Sequence, residues 1–188
     1  MNFRRKSASP QHPNTPTHKS SAHNEAAFQA AVRTLAARAY SVAELKQKLR
    51  SKSFSTTSIN QTVLRLKKLG FLDDHRLAEQ YASSLVRNRA FGRFRVEREL
   101  KARRVDPRSV EPALKAAFEE TDERALLEKV LDKKISSLRL PLTRSRLASL
   151  FSSLKRRGFR MSDIINAVRG RPELAPVAEE IELEALEE

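Results

Sequence analysis

Cysteine and tryptophan are absent from this chain of 188 residues, glycine occurs four times and tyrosine twice. Without cysteine there is neither a disulfide framework nor a thiolate metal site, a composition compatible with a reducing compartment. Scarce glycine argues against a turn-rich sheet and for helices. With so few large aromatics, no platform for stacking nucleic-acid bases stands out. No apolar run reaches the roughly 18 residues of a membrane span, and the basic N-terminus lacks the apolar core of a signal peptide. A cytoplasmic protein with no membrane partner is expected. Glycine-rich phosphate loops and nucleophile elbows are also missing. His12, His18 and His23 fall in a polar N-terminal stretch, which leaves only His75 elsewhere, so neither a zinc site nor a Ser/His pair is expected. Asp73 and Asp74 read as helix-capping carboxylates rather than an acid/base pair. The chain is therefore expected to be no enzyme and to need no cofactor or metal.

What the sequence has in excess is positive charge. The net charge is +14, yet residues 173–188 contain seven Glu and no basic residue, so the preceding 172 residues carry 37 basic against 16 acidic side chains. A body of +21 favours nucleic acid or a negatively charged nucleoprotein. The charge is densest over residues 87–104, with eight basic residues against Glu97 and Glu99. Val96 and Leu100, four apart, mark the apolar stripe of a helix within that segment.

Residues 1–24 hold Pro10, Pro13 and Pro16 among Ser, Thr and His, and are expected to be a disordered basic tail. From Glu25 the pattern is helical almost throughout. Ser41 with Glu44 is a capping box, flanked by Tyr40 and Leu45 as staple. Ser55 or Thr56 opens the following helix, which Gly70 ends. Asp73 caps the next, and Asp106-Pro107 is a strong start signal. Further helices are expected over residues 125–138, 143–157 and from about Ser162 to Arg169. Residues 172–188 form an acidic C-terminal tail, a candidate mask for the basic surface.

An internal repeat orders these helices. Leu45, Leu49, Phe54, Ile59 and Val63 are spaced 4, 5, 5 and 4 apart, as are Val96, Leu100, Val105, Val110 and Leu114, and again Leu150, Leu154, Phe159, Ile164 and Val168. The copies are offset by 51 and then 54 residues. The first two positions lie one turn apart on a middle helix, the central one staples the next helix, and the last two face inward from it. An apolar helical stretch precedes each copy. The expectation is an all-α fold of three tandem three-helix modules, helix-turn-helix-like, over residues 25–72, 73–120 and 121–171. Units of this size have marginal cores alone, so contacts between neighbours should contribute.

Several stretches carry a family likeness. They are Arg38-Ala39-Tyr40-Ser41-Val42-Ala43-Glu44-Leu45 with Lys48-Leu49, then Leu69-Gly70-Phe71-Leu72-Asp73-Asp74 with Ala78 and Tyr81, then residues 92–100, and Arg157-Gly158-Phe159. In these the chain resembles the RecX family, bacterial regulators of the RecA recombinase, over residues 28–169. The resemblance implies an extended, curved array of modules lying in the groove of a RecA nucleoprotein filament, and negative modulation of RecA. Phe71 stands where the family commonly has Tyr. Arg104 stands where it often has Gly, which puts the turn after the second middle helix in question.

The best interface candidates are Arg93, Arg95, Arg98, Lys101, Arg103 and Arg104. Lys46, Lys48, Arg50 and Lys52 form a similar patch in the first module, and Lys155, Arg156 and Arg157 in the third. The expected partner is the RecA–DNA filament, met by a monomer, with single- and double-stranded DNA as further partners. Two other readings stay open: direct DNA or RNA binding, since three-helix modules resemble helix-turn-helix units, and a scaffold for acidic proteins. Changing Arg95, Arg98 and Lys101 to Glu is expected to weaken filament binding with little effect on melting.

Overall fold

Capping side chains set where the helices begin. In the computed structural model, which describes residues 17–137, 143–172 and 174, the described residues form α1 (Thr17–Ala37), α2 (Val42–Arg50), α3 (Thr56–Lys68), α4 (Asp74–Arg89), α5 (Arg93–Ala102), α6 (Pro107–Glu119), α7 (Glu123–Ile135), α8 (Arg144–Arg156) and α9 (Met161–Arg169). Ser41 Oγ accepts from Glu44 N at 3.1 Å while Glu44 Oε2 accepts from Ser41 N at 3.0 Å, completing the capping box. Ser55, Asp73, Asp106, Asp122 and Thr143 cap α3, α4, α6, α7 and α8 in turn. Among α2 to α9, only α5 and α9, which follow Gly92 and Arg160, begin with no side-chain cap of their own.

Extensive helix packing stays inside the three units: α1, α2 and α3 pack together, α4, α5 and α6 together, and α7 and α8 each on α9. The fold is all-helical among the described residues, in tandem three-helix modules. The repeat positions are its core. Every one of them is buried except Phe54, which is half-buried. Module one has a core of its own around Leu45, Leu49, Ile59 and Leu66. Modules two and three share one continuous core, running from Leu77 through Leu100 and Leu114 to Leu131 and Leu154.

Described structure reaches into the spans of both predicted tails. Helix α1 starts at Thr17, not at Glu25. The added turns have a packing reason, because the His23 ring lies 5.4 Å from that of Phe54, and Asn24 bonds Gln61 of α3. At the other end Leu174, within the span of the acidic tail, is fully buried in the shared core. Arg171 braces that end by pairing with Glu128 and Asp132 of α7 at 2.7 and 2.6 Å. Residues 1–16 and 175–188, and with them most of both tails, lie outside the described residues. Helix α7 begins two residues earlier than expected and α9 one residue earlier, each within the usual uncertainty of helix ends.

The turn in question at Arg104 keeps the glycine-like geometry without glycine. Ser53, Arg104 and Gly158 occupy the same repeat position, and all have positive φ, at 61°, 51° and 91°. A left-handed residue with a Cβ is strained by about 1–2 kcal/mol. Ser53→Gly is thus expected to stabilise the protein by about 0.5 kcal/mol, once glycine's greater freedom in the unfolded chain is subtracted. A higher urea midpoint in equilibrium unfolding checks this; a lower one contradicts it.

Candidate nucleic-acid interface

All the predicted interface residues lie on the middle helices α2, α5 and α8 or just past their C-termini, and the structure joins these helices end to end. Where α5 ends, Arg103 O accepts from Ser41 Oγ at 2.7 Å, at the start of α2. Where α8 ends, Arg157 O accepts from Gly92 N at 2.8 Å, at the start of α5. Positive N-terminal ends thus face negative C-terminal ends along the row α8–α5–α2, an arrangement the helix dipoles favour.

The two joints repeat each other in detail. Arg103 Nη2 donates to Ala39 O at 2.7 Å, and Arg157 Nη1 donates to Arg89 O at 2.7 Å and Ala90 O at 3.5 Å. Ala39 and Ala90 are equivalent in the repeat. A carboxylate from the first helix of the next module then takes the first free N–H of each helix. Asp74 Oδ1 accepts from Val42 N at 2.8 Å, and Glu123 Oε1 from Arg93 N at 2.7 Å. Hence α5 needs no capping side chain after Gly92. Asp74 therefore serves a neighbour, with its second oxygen taking Asp106 N at 2.9 Å, while Asp73 caps its own helix.

Electrostatics at the joints is tight. Arg103 pairs with both oxygens of Glu44, at 3.0 and 3.1 Å, and lies over the Tyr81 ring. Burial alone raises the Glu44 carboxyl, but the bonds from Arg103, Ser41 N–H and Arg38 outweigh it and hold the group below its ordinary value. Burial pushes the Glu123 carboxyl up, and the Arg93 N–H opposes this only in part. At the second joint the backbones touch. A Cβ on Gly158 would sit 2.2 Å from Arg95 N, and one on Gly92 2.6 Å from Gly158 O.

These contacts divide the candidates. Arg103 and Arg157 are committed to joints, and Arg104 reaches across the first one to Gln47. Arg93 pairs with Glu111. Arg95 is not the surface residue expected: its side chain is 32% exposed, pairs with Glu99 at 2.6 Å and keeps a buried Nε without a bond. Charge reversal at Arg95 would break the pair with Glu99 and bury a carboxylate where a guanidinium now sits, so this residue of the three is the one expected to lower melting. Lys48, Arg50, Lys52, Arg98, Lys101, Lys155 and Arg156 are exposed, Lys46 half so, and Lys101 is paired with Glu97. Arg50, Lys101 and Lys155 share one repeat position, so each middle helix ends in an exposed cation at the same place.

Sequence reading missed a second cluster. Residues 133–162 contain nine basic and no acidic residues, a more one-sided run than residues 87–104. Within it Lys134 of α7 has Arg157 and Arg156 as its charged neighbours. The run of one sign is visible in the sequence, but it spans the end of α7 as well as a middle helix, so the repeat does not mark it. Among the described residues no cluster of His, Asp or Glu suits a metal ion, and no helix is long and apolar enough to cross a membrane.

Comparison with known proteins places these features. Residues 27–66 match the family description "RecX, first three-helix domain", and residues 73–114 match "RecX, second three-helix domain". The regulatory protein RecX of Trichlorobacter lovleyi is 31% identical over 139 residues, which cover 73% of this chain and 90% of that protein. The regulatory protein RecX of Deinococcus radiodurans is 31% identical over 152 residues, covering 81% of this chain and 71% of its relative. The crystal structure of RecX from Lactobacillus salivarius superposes with a TM-score of 0.62 at 21% identity, covering 80% of this chain and 97% of that one, a likeness of fold.

Proposed function

The chain belongs to the RecX family, and on that premise we propose that it is a cytoplasmic, non-enzymatic regulator of the RecA recombinase. It binds RecA–DNA filaments through the row of middle helices and lowers ATP hydrolysis and strand exchange by destabilising the filament or blocking its growth. The observation that carries this reading is the end-to-end row α8–α5–α2 with Arg50, Lys101 and Lys155 at matched positions. A periodic cationic edge suits a filament groove, where phosphate and acidic protein also recur periodically.

The joints fix the spacing of those charges before any partner is met. Preorganisation of this kind removes part of the ordering cost of binding. Arg103 and Arg157 then serve the interface indirectly, by holding the row, and Arg98, Lys101, Arg50 and Lys155 meet the polyanion directly.

The test is RecA ATP hydrolysis on single-stranded DNA with substoichiometric protein. The wild type is expected to slow hydrolysis. The variant Arg98→Glu with Lys101→Glu is expected to need at least about tenfold more protein, since two cations become anions facing a polyanion. Its melting should fall by no more than about 0.5–1 kcal/mol equivalent, because both residues are exposed and only the Glu97–Lys101 pair is lost. Equal potency of variant and wild type would remove the row from the reading. A slowing explained wholly by competition for bare DNA would favour a direct nucleic-acid binder instead.

A further inference from the structure

Module three departs, at the start of its middle helix, from the chemistry that module one uses to receive a neighbour. In module one that face consists of Ser41, Glu44, Leu45 and Lys48, and Glu44 takes the Arg103 guanidinium. Shifted by 51 and then 54 positions, the same face of α8 holds Arg146, Ser149, Leu150 and Ser153. The carboxylate has become a hydroxyl, and the N-cap serine an arginine. Among the described residues no further module packs there. These four instead line an open cleft of about 220 Å³ together with Lys134 and Ser137 from the end of α7.

We propose that this cleft is a phosphate site for the phosphodiester backbone of nucleic acid, with Lys134 and Arg146 supplying charge and the serine hydroxyls supplying further donors. In its biological setting the proposal rests on the filament reading, since it names where that filament's DNA touches module three. The site's charges are of one sign. The nearest carboxylates on α7, Glu128 and Asp132, are both held by Arg171. Burial, then the positive charges of Arg157 and Arg156, hold the Lys134 ammonium below its ordinary range. The fold thus keeps together cations that repel one another, and a bound anion relieves the repulsion. The lining contains donors that suit phosphate oxygens and no aromatic ring for a base, so recognition is of backbone and not of sequence.

The experiment uses the full chain and a fluorescein-labelled oligo-dT, with binding followed by anisotropy across a series of NaCl concentrations. Lys134→Gln with Arg146→Gln is expected to bind about tenfold more weakly near physiological salt, and its plot of log K against log salt should be shallower by roughly 0.7 for each phosphate that is no longer neutralised. Lys67→Gln with Lys68→Gln, exposed cations at the end of α3, is expected to change the slope less. Melting of the cleft variant should be unchanged or higher, because like-charge repulsion is removed. A slope equal to wild type overturns the proposal. So does normal binding to oligo-dT with weakened binding to assembled RecA filament, which would assign the cleft to acidic protein. A shallower slope in a protein that proves not to affect RecA would leave the cleft standing and remove the filament reading instead.

Discussion

Gly158→Ala is expected to lower stability by about 3–5 kcal/mol. Two costs add. The residue sits at φ +91°, where a Cβ is strained. That Cβ would also lie 2.2 to 2.8 Å from the backbone and Cβ of Arg95, in a core that modules two and three share. The cheapest relief is to part the two modules, which exposes the shared core and releases the bonds from Gly92 N and Phe94 N to the end of α8. Thermal unfolding should show Tm lower by about 10 °C for a chain of this length, with a broadened or split transition. Gly70→Ala is the control. Gly70 has φ +72° but nothing within 4 Å of the added Cβ, so only the backbone cost of about 1 kcal/mol is expected. Equal losses in the two variants would mean that the second joint is not close-packed.

Arg103→Ala is expected to cost about 2 kcal/mol at neutral pH, by opening the first joint. The substitution removes both bonds to Glu44, the bond to Ala39 O and the stacking over the Tyr81 ring. Glu44, whose side chain is 17% exposed, keeps only the more distant Arg38 and the Ser41 N–H. The pH dependence has a definite sign. Because Glu44 titrates below its ordinary 4.5 in the folded protein, its contribution is complete above that value and is lost as pH falls through the lower folded value. The difference in urea midpoint between Arg103→Ala and wild type should therefore be largest near neutral pH and shrink below 4.5. A difference that stays constant into acid would mean that the ion pair does not hold the joint.

The helices were legible because their signals are local. Ser41-Glu44, Asp73 and Asp106-Pro107 each satisfy backbone N–H groups within three residues, and the spacing of Leu45, Leu49, Ile59 and Val63 marks one face of a module. The joints were not legible, for the opposite reason. Ser41 meets Arg103 across 62 positions and Arg157 meets Arg89 across 68, and the acceptors are backbone carbonyls that no residue type advertises. Gly92 reads locally as a weak helix start, when its lack of a Cβ is what admits Gly158. Arg103 and Arg157 read as ligand-seeking cations for the same reason, since a guanidinium in a joint and one facing phosphate look alike in a sequence. One trace was present: Lys52, Arg103 and Arg157 share a repeat position, and among the described residues only the first has no preceding module to hold.

Tertiary contacts reach into the spans of both predicted tails. Residues 17–24 are polar, but His23 and Asn24 find partners in module one, and Leu174 finds the shared core despite its acidic surroundings. The cleft on α8 leaves little mark in the sequence because serine carries no charge. Comparing Ser149 with Glu44 at the same repeat position reveals it.

The most direct measurement compares binding of the full-length protein to assembled RecA–DNA filament, to free RecA and to bare DNA, side by side at one salt concentration. A polyanion-facing row of fixed spacing predicts tightest binding to the filament, with Arg98→Glu plus Lys101→Glu weakening it most there. Equal affinity for filament and bare DNA, or filament binding indifferent to those two reversals, would contradict the account.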